Sequence, residues 1–594
     1  MSKTRKVFGF VGLVLAMFMG ALDATIVNIA LPDIMKHLNS SLTDTSWVST
    51  IYVLAMAAFI ITASKLADLY DRRLVMLIGV AIFGVFSFAC MMASSLSFLI
   101  AFRFFQGIGG AILTPIVLPM GIALFGKANT SKVTAVIGAF SALAVASGPV
   151  IGGFIINWAS YNWIFGINIP LALISFVLIL VGNEESYDFS ISKEIDWLSM
   201  VFLTCALGGL TFGLLEGREY GWTSTIILSS SAISLVGLIL LVFVEEKVKS
   251  PIIELSLFKE KIFTASSIIY MIFGFAIIVP SLILNYFLQN VRGYSALHSA
   301  YLIVPTSLAI AVGMPLATKI YQKLSAKLLI GIGMFITAAG LFMQSLVQFE
   351  TSEAIIICCN VIIGLGLGFM AMSMTASVRY LPVIKAGIGS GIVNASRYIG
   401  QEIGMALLVT ILNANINTAR DNIRHYAYVQ IDKHVLSDSV KSVVKMEIKE
   451  IFESTSKTTD SSKKQNQMLT KVKAAAKKTD NLPLPKKGSD YRKLYDANSQ
   501  LVVGSEKSRS QSSKKISSAL TPLSQGQAQL GQGIQLLAQK EELTDTFQKI
   551  KDSKNKNLSR SFNQVFIIAS LIVLITSPLA YLTDKKSKRV MEKI

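Results

Sequence analysis

Cysteine is scarce in this chain, and charge is scarcer than a water-facing surface of this length allows. The four cysteines, Cys90, Cys205, Cys358 and Cys359, all fall in long apolar stretches. The polar segment 414–560 contains none, so no disulfide framework holds it, and the buried thiols read as packing. Only 15% of the 594 residues are charged while 52% are hydrophobic, and the mean hydropathy is +0.57. That balance excludes an ordinary soluble globular protein. The four histidines show no metal-ligand spacing. No phosphate-binding glycine loop and no nucleophile motif is present. The expectation is therefore a chain without metal or organic cofactor that is not an enzyme and does not hydrolyse ATP itself.

What the chain does have is apolar runs of about twenty residues, each long enough to cross a hydrocarbon core of ~30 Å as a helix. The alternating pattern of a barrel strand is missing, which leaves helices as the spanning element. The expected spans are 7–31, 46–66, 74–93, 97–119, 131–156, 163–182, 196–214, 225–244, 263–288, 297–318, 327–347, 354–376, 388–412 and 561–582. The net charge of +19 raises the question of nucleic acid, and the location of the charge answers it. With the N-terminus in the cytoplasm, the short outer loops hold only Lys36, Arg218 and Arg292, and lysine and arginine crowd the inner ones. This is the positive-inside asymmetry, which predicts both termini inside a bacterial inner membrane and no nucleic-acid partner. Lys3, Arg5 and Lys6 before an apolar run resemble a signal peptide. The run continues through Ala30 with no small-residue cleavage site, so it reads as an uncleaved first span.

The spans group as six, two and six. Residues 1–182 form a first six-helix bundle. Two further helices with charged connectors occupy 183–262, the first connector carrying Glu184, Glu185 and Asp188. Five helices of a second bundle follow in 263–412, and its last helix with a cytoplasmic tail lies at 561–594. Two six-helix halves are the architecture of large secondary transporters, with the substrate site between them near the midplane. The insert 413–560 is expected outside the membrane, with helical ends and a flexible centre. Its centre, about 453–515, is rich in Ser, Lys, Thr, Asp and Gln and has little to bury. Val440, Val444, Ile448 and Ile451 share a helical face, and Leu523, Leu530 and Leu537 repeat at seven, which together suggest a helical hairpin.

Ionisable residues inside the spans are the candidates for chemistry. Asp23 sits two-thirds along the first span, where a charge costs roughly 2.5–3.5 kcal/mol on insertion scales. Burial favours the neutral acid, which suits a group that takes up and releases a proton; the plainer reading is a carboxylate snorkelling or capping near the interface. Arg103, within the fourth span, needs an acid, carbonyls or a wet cavity, and Asp23 is the partner at hand. Glu402 and Arg397 lie in the thirteenth span, five residues apart, a poor match for one helix face. Two readings stay open: Glu402 faces the cavity, or an ion pair packs the bundle. Between spans two and three, Ser64 to Arg73 carries Asp68, Asp71, Arg72 and Arg73, charges able to bridge helix ends and part as the halves rock. In the fifth span Ser147-Gly148-Pro149-Val150-Ile151-Gly152-Gly153 combines a proline kink with glycines that admit a close neighbour.

Taken in order, these segments resemble the major facilitator superfamily, specifically its fourteen-span drug:proton antiporters. The first-span stretch Leu22-Asp23-Ala24-Thr25-Ile26-Val27-Asn28, Trp47-Val48-Ser49-Thr50, the charged 2–3 loop, Arg103 and Gly-Pro-x-x-Gly-Gly at 148–153 carry the likeness. So do Trp163 to Pro170 and Gly389-Ser390-Gly391. It covers roughly 1–412 and 561–594. The resemblance implies export of amphipathic, often cationic compounds driven by the proton motive force, with no other cofactor. Asp23 would be a proton or cation site, Arg103 part of the coupling network, Glu402 a second such site, and Gly148, Pro149, Gly152 and Gly153 the antiporter hinge. Ser64 and Asp71 stand where the family usually has glycine, Ala144 where another glycine is common, and nothing carries over to the insert. The leading expectation is a proton-coupled multidrug exporter whose partners are protons, small amphipathic substrates and the bilayer. An alternative exports a lipid, peptide or envelope metabolite, with the insert handling cargo or an extracytoplasmic partner. A non-transporting sensor or scaffold is the more distant reading.

Overall fold

The computed structural model describes residues 2–126, 129–185, 196–248, 255–321, 324–379, 381, 383–453, 471, 482–510 and 514–584. Among them there are helices and no strands. The first bundle comprises α1 Lys3–His37, α2 Leu42–Tyr70, α3 Arg72–Met91, α4 Leu96–Phe125, α5 Thr130–Trp158, and α6 Trp163–Gly166 continued by α7 Asn168–Gly182. The pair α8 Trp197–Tyr220 and α9 Thr225–Glu245 follows. The second bundle begins with α10 Lys261–Ile278, which runs on through a π-helical turn Val279–Ile283, α11 Leu284–Tyr286 and a second π turn Phe287–Val291. It continues with α12 Ala296–Tyr321, α13 Ala326–Gln344, α14 Glu353–Met370, α15 Met372–Arg379 and α16 Val383–Lys433. The remaining helices are α17 Asp438–Glu453, α18 Asp490–Ser510 and α19 Lys514–Thr576.

Every expected span falls on one of these helices or on consecutive ones, as 163–182 does on α6 and α7 and 354–376 on α14 and α15. Thirteen described helices are long and apolar enough to cross a membrane; the expected span 131–156 lies on α5, whose apolar described part is the shorter Leu143–Trp158. Serines and aspartates start the helices as they should, because their side chains satisfy first-turn N–H groups. Ser41 caps α2, Ser95 caps α4, Asp196 caps α8 and Ser224 caps α9. The core is apolar as in a water-soluble protein, and it is the surface that differs. On α9, Leu235, Val236, Ile239 and Phe243 are more than half exposed, which is the outer face of a helix that meets hydrocarbon.

Glycine makes the close contacts. A Cβ on Gly209 or Gly237 would collide with the facing backbone of the α8–α9 pair. Gly109 lies against Phe83 of α3, and Gly366 against Thr337 and Gly333 of α13. Without a hydrophobic drive between helices in lipid, small residues that let backbones approach supply much of the packing. α5 and α12 join the first bundle to the second, Gly153 resting on Ala296 and Leu297.

The chain separates into two compact units, 1–415 with 559–594, and 416–558. The second has its own apolar core of Ala427, Ile431, Leu436, Val440, Val444, Ile448 and Leu543, flanked by Phe547 and Ile550. Two expectations for this segment need correcting. The centre is not uniformly flexible: α18 forms there, held where Asn498 donates to the Gln527 carbonyl at 2.9 Å and Ser505 to its side chain. The unit is thus more than a hairpin. Nor do the heptad leucines pack: Leu523, Leu530 and Leu537 are each over half exposed, while Ile534, Ala538 and Leu543 face inward. A spacing of seven places residues on one helix face without saying which face is buried. Residues 454–470, 472–481 and 511–513, Asp188, and the tail 585–594 lie outside the described residues.

Candidate functional site: a saturated acid and an unpartnered one

Asp23 is completely buried on α1. Arg103 of α4 meets it with Nη1 at 2.5 Å from Oδ2, and the guanidinium is 1% exposed. Two amides serve the other oxygen: Gln106 Nε2 donates to Oδ1 at 3.1 Å and Asn168 Nδ2 at 2.9 Å. Only donors converge here, so the arrangement is built for the carboxylate. Arg103 in turn donates through Nε to the Val48 carbonyl of α2 at 3.0 Å and through Nη1 to Gln106 Oε1 at 2.8 Å. Its guanidinium lies 4.1 Å from the centroid of the Tyr52 ring. Gln106 also reaches Ser87 of α3 at 2.8 Å. Five helices of the first bundle meet at one ion pair.

Glu402, on α16 in the second bundle, is equally buried, yet among the described residues neither carboxyl oxygen has a hydrogen-bond partner. Arg397 is not its counter-ion. That guanidinium stacks over Tyr398 at 4.5 Å and also faces Tyr270. The poor five-residue spacing explains the divergence, and of the two readings left open this arrangement favours the one without an ion pair. Backbone packing isolates Glu402 further: a Cβ on Gly400 would overlap the Met271 carbonyl, and Gly404 lies against Phe275, so α16 presses on α10 on both sides of the acid. A lone carboxylate in such a place is far costlier than a neutral acid.

The loop between α2 and α3 is a single residue, Asp71, whose carboxylate caps α3 by accepting from Arg73 N at 3.1 Å and Leu74 N at 3.3 Å. Its φ of 174° is extended backbone, which any residue adopts, so replacing glycine here strains nothing. Arg73 reaches the Leu180 carbonyl of α7 at 2.6 Å, and Arg5 of α1 the neighbouring Val181 carbonyl at 2.7 Å. Arg72 begins α3 beside them, and the Asp68 side chain is outside the described residues.

In α5 the glycines face two ways. A Cβ on Gly148 would lie 2.0 Å from Thr25 Oγ1, and one on Gly152 2.8 Å from Ile26 Cγ1, so both sit against α1 just past Asp23. Gly153 faces α12, and Pro149 lies inside the helix. The residues brought together are thus Asp23 and Arg103, with Gly148 and Gly152 of α5 packed against α1 beside the acid. Sequence reading named Asp23 and Arg103 and missed Gln106, Asn168, Ser87 and Tyr52. Polar residues inside apolar spans were the signal available for them.

A bundle of bilayer-length helices organised around a buried, hydrogen-bonded ion pair defines a polytopic membrane protein, and its relatives make it a transporter rather than an enzyme. The sequence comparisons give the family. The family model described as Major Facilitator Superfamily matches residues 13–405, and the chain belongs to that superfamily. It is 31% identical over 434 residues to the multidrug resistance protein Stp of Mycobacterium tuberculosis (strain CDC 1551 / Oshkosh), covering 72% of this chain and 80% of that one. It is also 31% identical over 415 residues to the multidrug transporter protein MdtP of Bacillus subtilis (strain 168), covering 69% and 75%. Among solved structures, a bacterial homologue of the human lysosomal transporter Spinster, inward-facing and unoccupied, aligns at TM-score 0.55. The identity there is 14%, over 99% of this chain and 100% of that one, a likeness of fold.

Proposed function

We propose that this chain is a proton-coupled exporter of amphipathic, cationic small molecules working by alternating access. The observation that carries the reading is Glu402, a fully buried acid with no hydrogen-bond partner for either oxygen among the described residues. Such a group rests as the neutral acid and ionises when a cation arrives to pair with it. Proton and cationic substrate then compete for one carboxyl, and the exchange of one for the other is what couples their movements. Asp23, already neutralised by Arg103, serves as the coupling site: a proton on Asp23 dissolves the ion pair and loosens α1 from α4. The inside-negative potential, worth ~2.3 kcal/mol per charge per 100 mV, assists whenever more positive charge enters than leaves. The positive-inside asymmetry supports both termini in the cytoplasm of a bacterial cell and the insert 413–560 outside. The names of the Mycobacterium and Bacillus relatives, a multidrug resistance protein and a multidrug transporter protein, support a drug as cargo.

The test is dye efflux from proteoliposomes under an imposed pH gradient. Glu402→Gln and Asp23→Asn should each abolish gradient-driven efflux of a cationic dye while leaving the protein in the membrane. Efflux that survives both changes would exclude the coupling roles.

A second reading keeps the fold and changes the cargo to a lipid, peptide or envelope metabolite. The separate core of unit 416–558 favours it. Deleting 420–556 with intact dye efflux but a defective envelope would select it.

A further inference from the structure

Proline has no N–H, so Pro32 inside α1 leaves the carbonyl of Asn28 without its donor from one turn on. A side chain from the other bundle takes that place. Asn285 Nδ2 donates to the Asn28 carbonyl at 2.6 Å. One turn further, Gln289 Nε2 donates to the Ile29 carbonyl at 3.0 Å and to Asn285 Oδ1 at 2.9 Å. Both amides are buried, Asn285 completely. The Asn28 side chain accepts from Ser49 of α2 at 2.9 Å, so α1 and α2 are held together where the two amides attach.

The helix that offers these amides departs from α geometry at this point. Leu284–Tyr286 lies between two π turns, Val279–Ile283 and Phe287–Val291. A π turn carries one surplus residue, is rare, and gathers at functional sites. Removing that residue's worth of winding would rotate everything beyond it by about 100° and carry Asn285 and Gln289 off α1. Other contacts join the bundles at the same end: Asn413 donates to Thr43 at 2.9 Å, and Gly153 rests on Leu297. Beyond them opens a cleft of about 230 Å³ lined by Asp33, Lys36, Asn157, Gln289 and Tyr294. Asp23 lies five residues back along α1, about 7.5 Å of helix.

We propose that Asn285 and Gln289 are the latch that holds the outer end of the transport pathway shut, and that the proline-freed carbonyl of Asn28 is its receptor. They are positioning residues: they set which face of the membrane the central acids can see. The latch rests on the transporter reading above for what it closes.

The test measures accessibility in the full-length chain, with the four native cysteines replaced and Ser281→Cys, one turn below Asn285, as reporter. A membrane-impermeant maleimide is applied to right-side-out and to inside-out vesicles. Labelling from outside should be slow in this parent and at least tenfold faster with Asn285→Ala plus Gln289→Ala. Pro32→Ala, which returns to the Asn28 carbonyl its own helical donor, should accelerate it several-fold. Asn285→Leu keeps most of the size and has no donor at all. Its labelling from outside should be faster than the parent's, by several-fold. Unchanged rates in the double variant, in Asn285→Leu and in Pro32→Ala, with monodisperse protein, overturn the latch. Acceleration confined to inside-out vesicles also overturns it as an outer gate. A parent that labels as expected yet drives no dye flux upholds the latch and sinks the transporter reading instead.

Discussion

The two bundles solve the same geometrical problem with different chemistry. In the first, Arg103 is the eighth residue of α4 and bonds the carbonyl of Val48, the seventh of α2. In the second, Asn360 is the eighth residue of α14 and bonds the carbonyl of Leu302, the seventh of α12, at 2.7 Å. The inter-helix tie is repeated, but one copy uses a cation and the other a neutral amide. The cation obliges an acid to stand beside it, and Asp23 does. The amide makes no such demand: it takes Gln344 as neighbour at 3.3 Å, and the second bundle's acid, Glu402, is left unpartnered on another helix. An acid fixed in an ion pair and an acid without one are thus kept in separate halves.

The hardest blow to this contrast is Arg103→Ala. It strands a buried carboxylate, and removing one partner of such a pair costs about 3–5 kcal/mol. A large fall in thermal unfolding temperature in detergent is expected; a change of a degree or two would mean Asp23 is already neutral. Gly148→Val comes next. Its Cβ would fall 2.0 Å from Thr25 Oγ1, and overpacking of this kind costs typically 1–3 kcal/mol. The loss should appear in the same melt, with efflux reduced in step. Glu402→Gln should leave the melting temperature within a few degrees of the parent while efflux disappears, since no bond is lost. If it destabilised as much as Arg103→Ala, Glu402 would be a structural ion after all.

The smallest effect lies outside the spans. A hydrogen bond from Lys549 holds the Asp545 carboxyl below its ordinary range, with His434 and Lys486 contributing. A depressed acid stabilises the fold at neutral pH, and that contribution fades as the pH falls through its folded-state value. Lys549→Ala should move the Asp545 titration up toward the ordinary aspartate range, followed by carboxyl NMR of the full chain.

Much of this was legible beforehand, for identifiable reasons. Lipid penalises unpaired backbone and charge so heavily that spans are read directly from composition, and a cation in a span implies an acid nearby. Asp23 and Arg103 were therefore found as a pair. Gln106 and Asn168 were visible as polar letters without direction, because a neutral amide bonds in many settings. The isolation of Glu402 could not be read, since a sequence does not name what faces a side chain. The leucines at 523, 530 and 537 misled for the same reason: periodicity is shared by an inward and an outward stripe. The receptor of the latch was hidden more deeply, because a carbonyl has no letter of its own.

That last point has an evolutionary consequence. A side-chain receptor can be lost by substituting the residue that carries it, but no substitution at position 28 itself deletes its main-chain oxygen. Only a change at position 32 alters whether that oxygen is free. Positions 32, 285 and 289 should therefore vary together among relatives, and a lineage that gives up the proline should give up the amides as well.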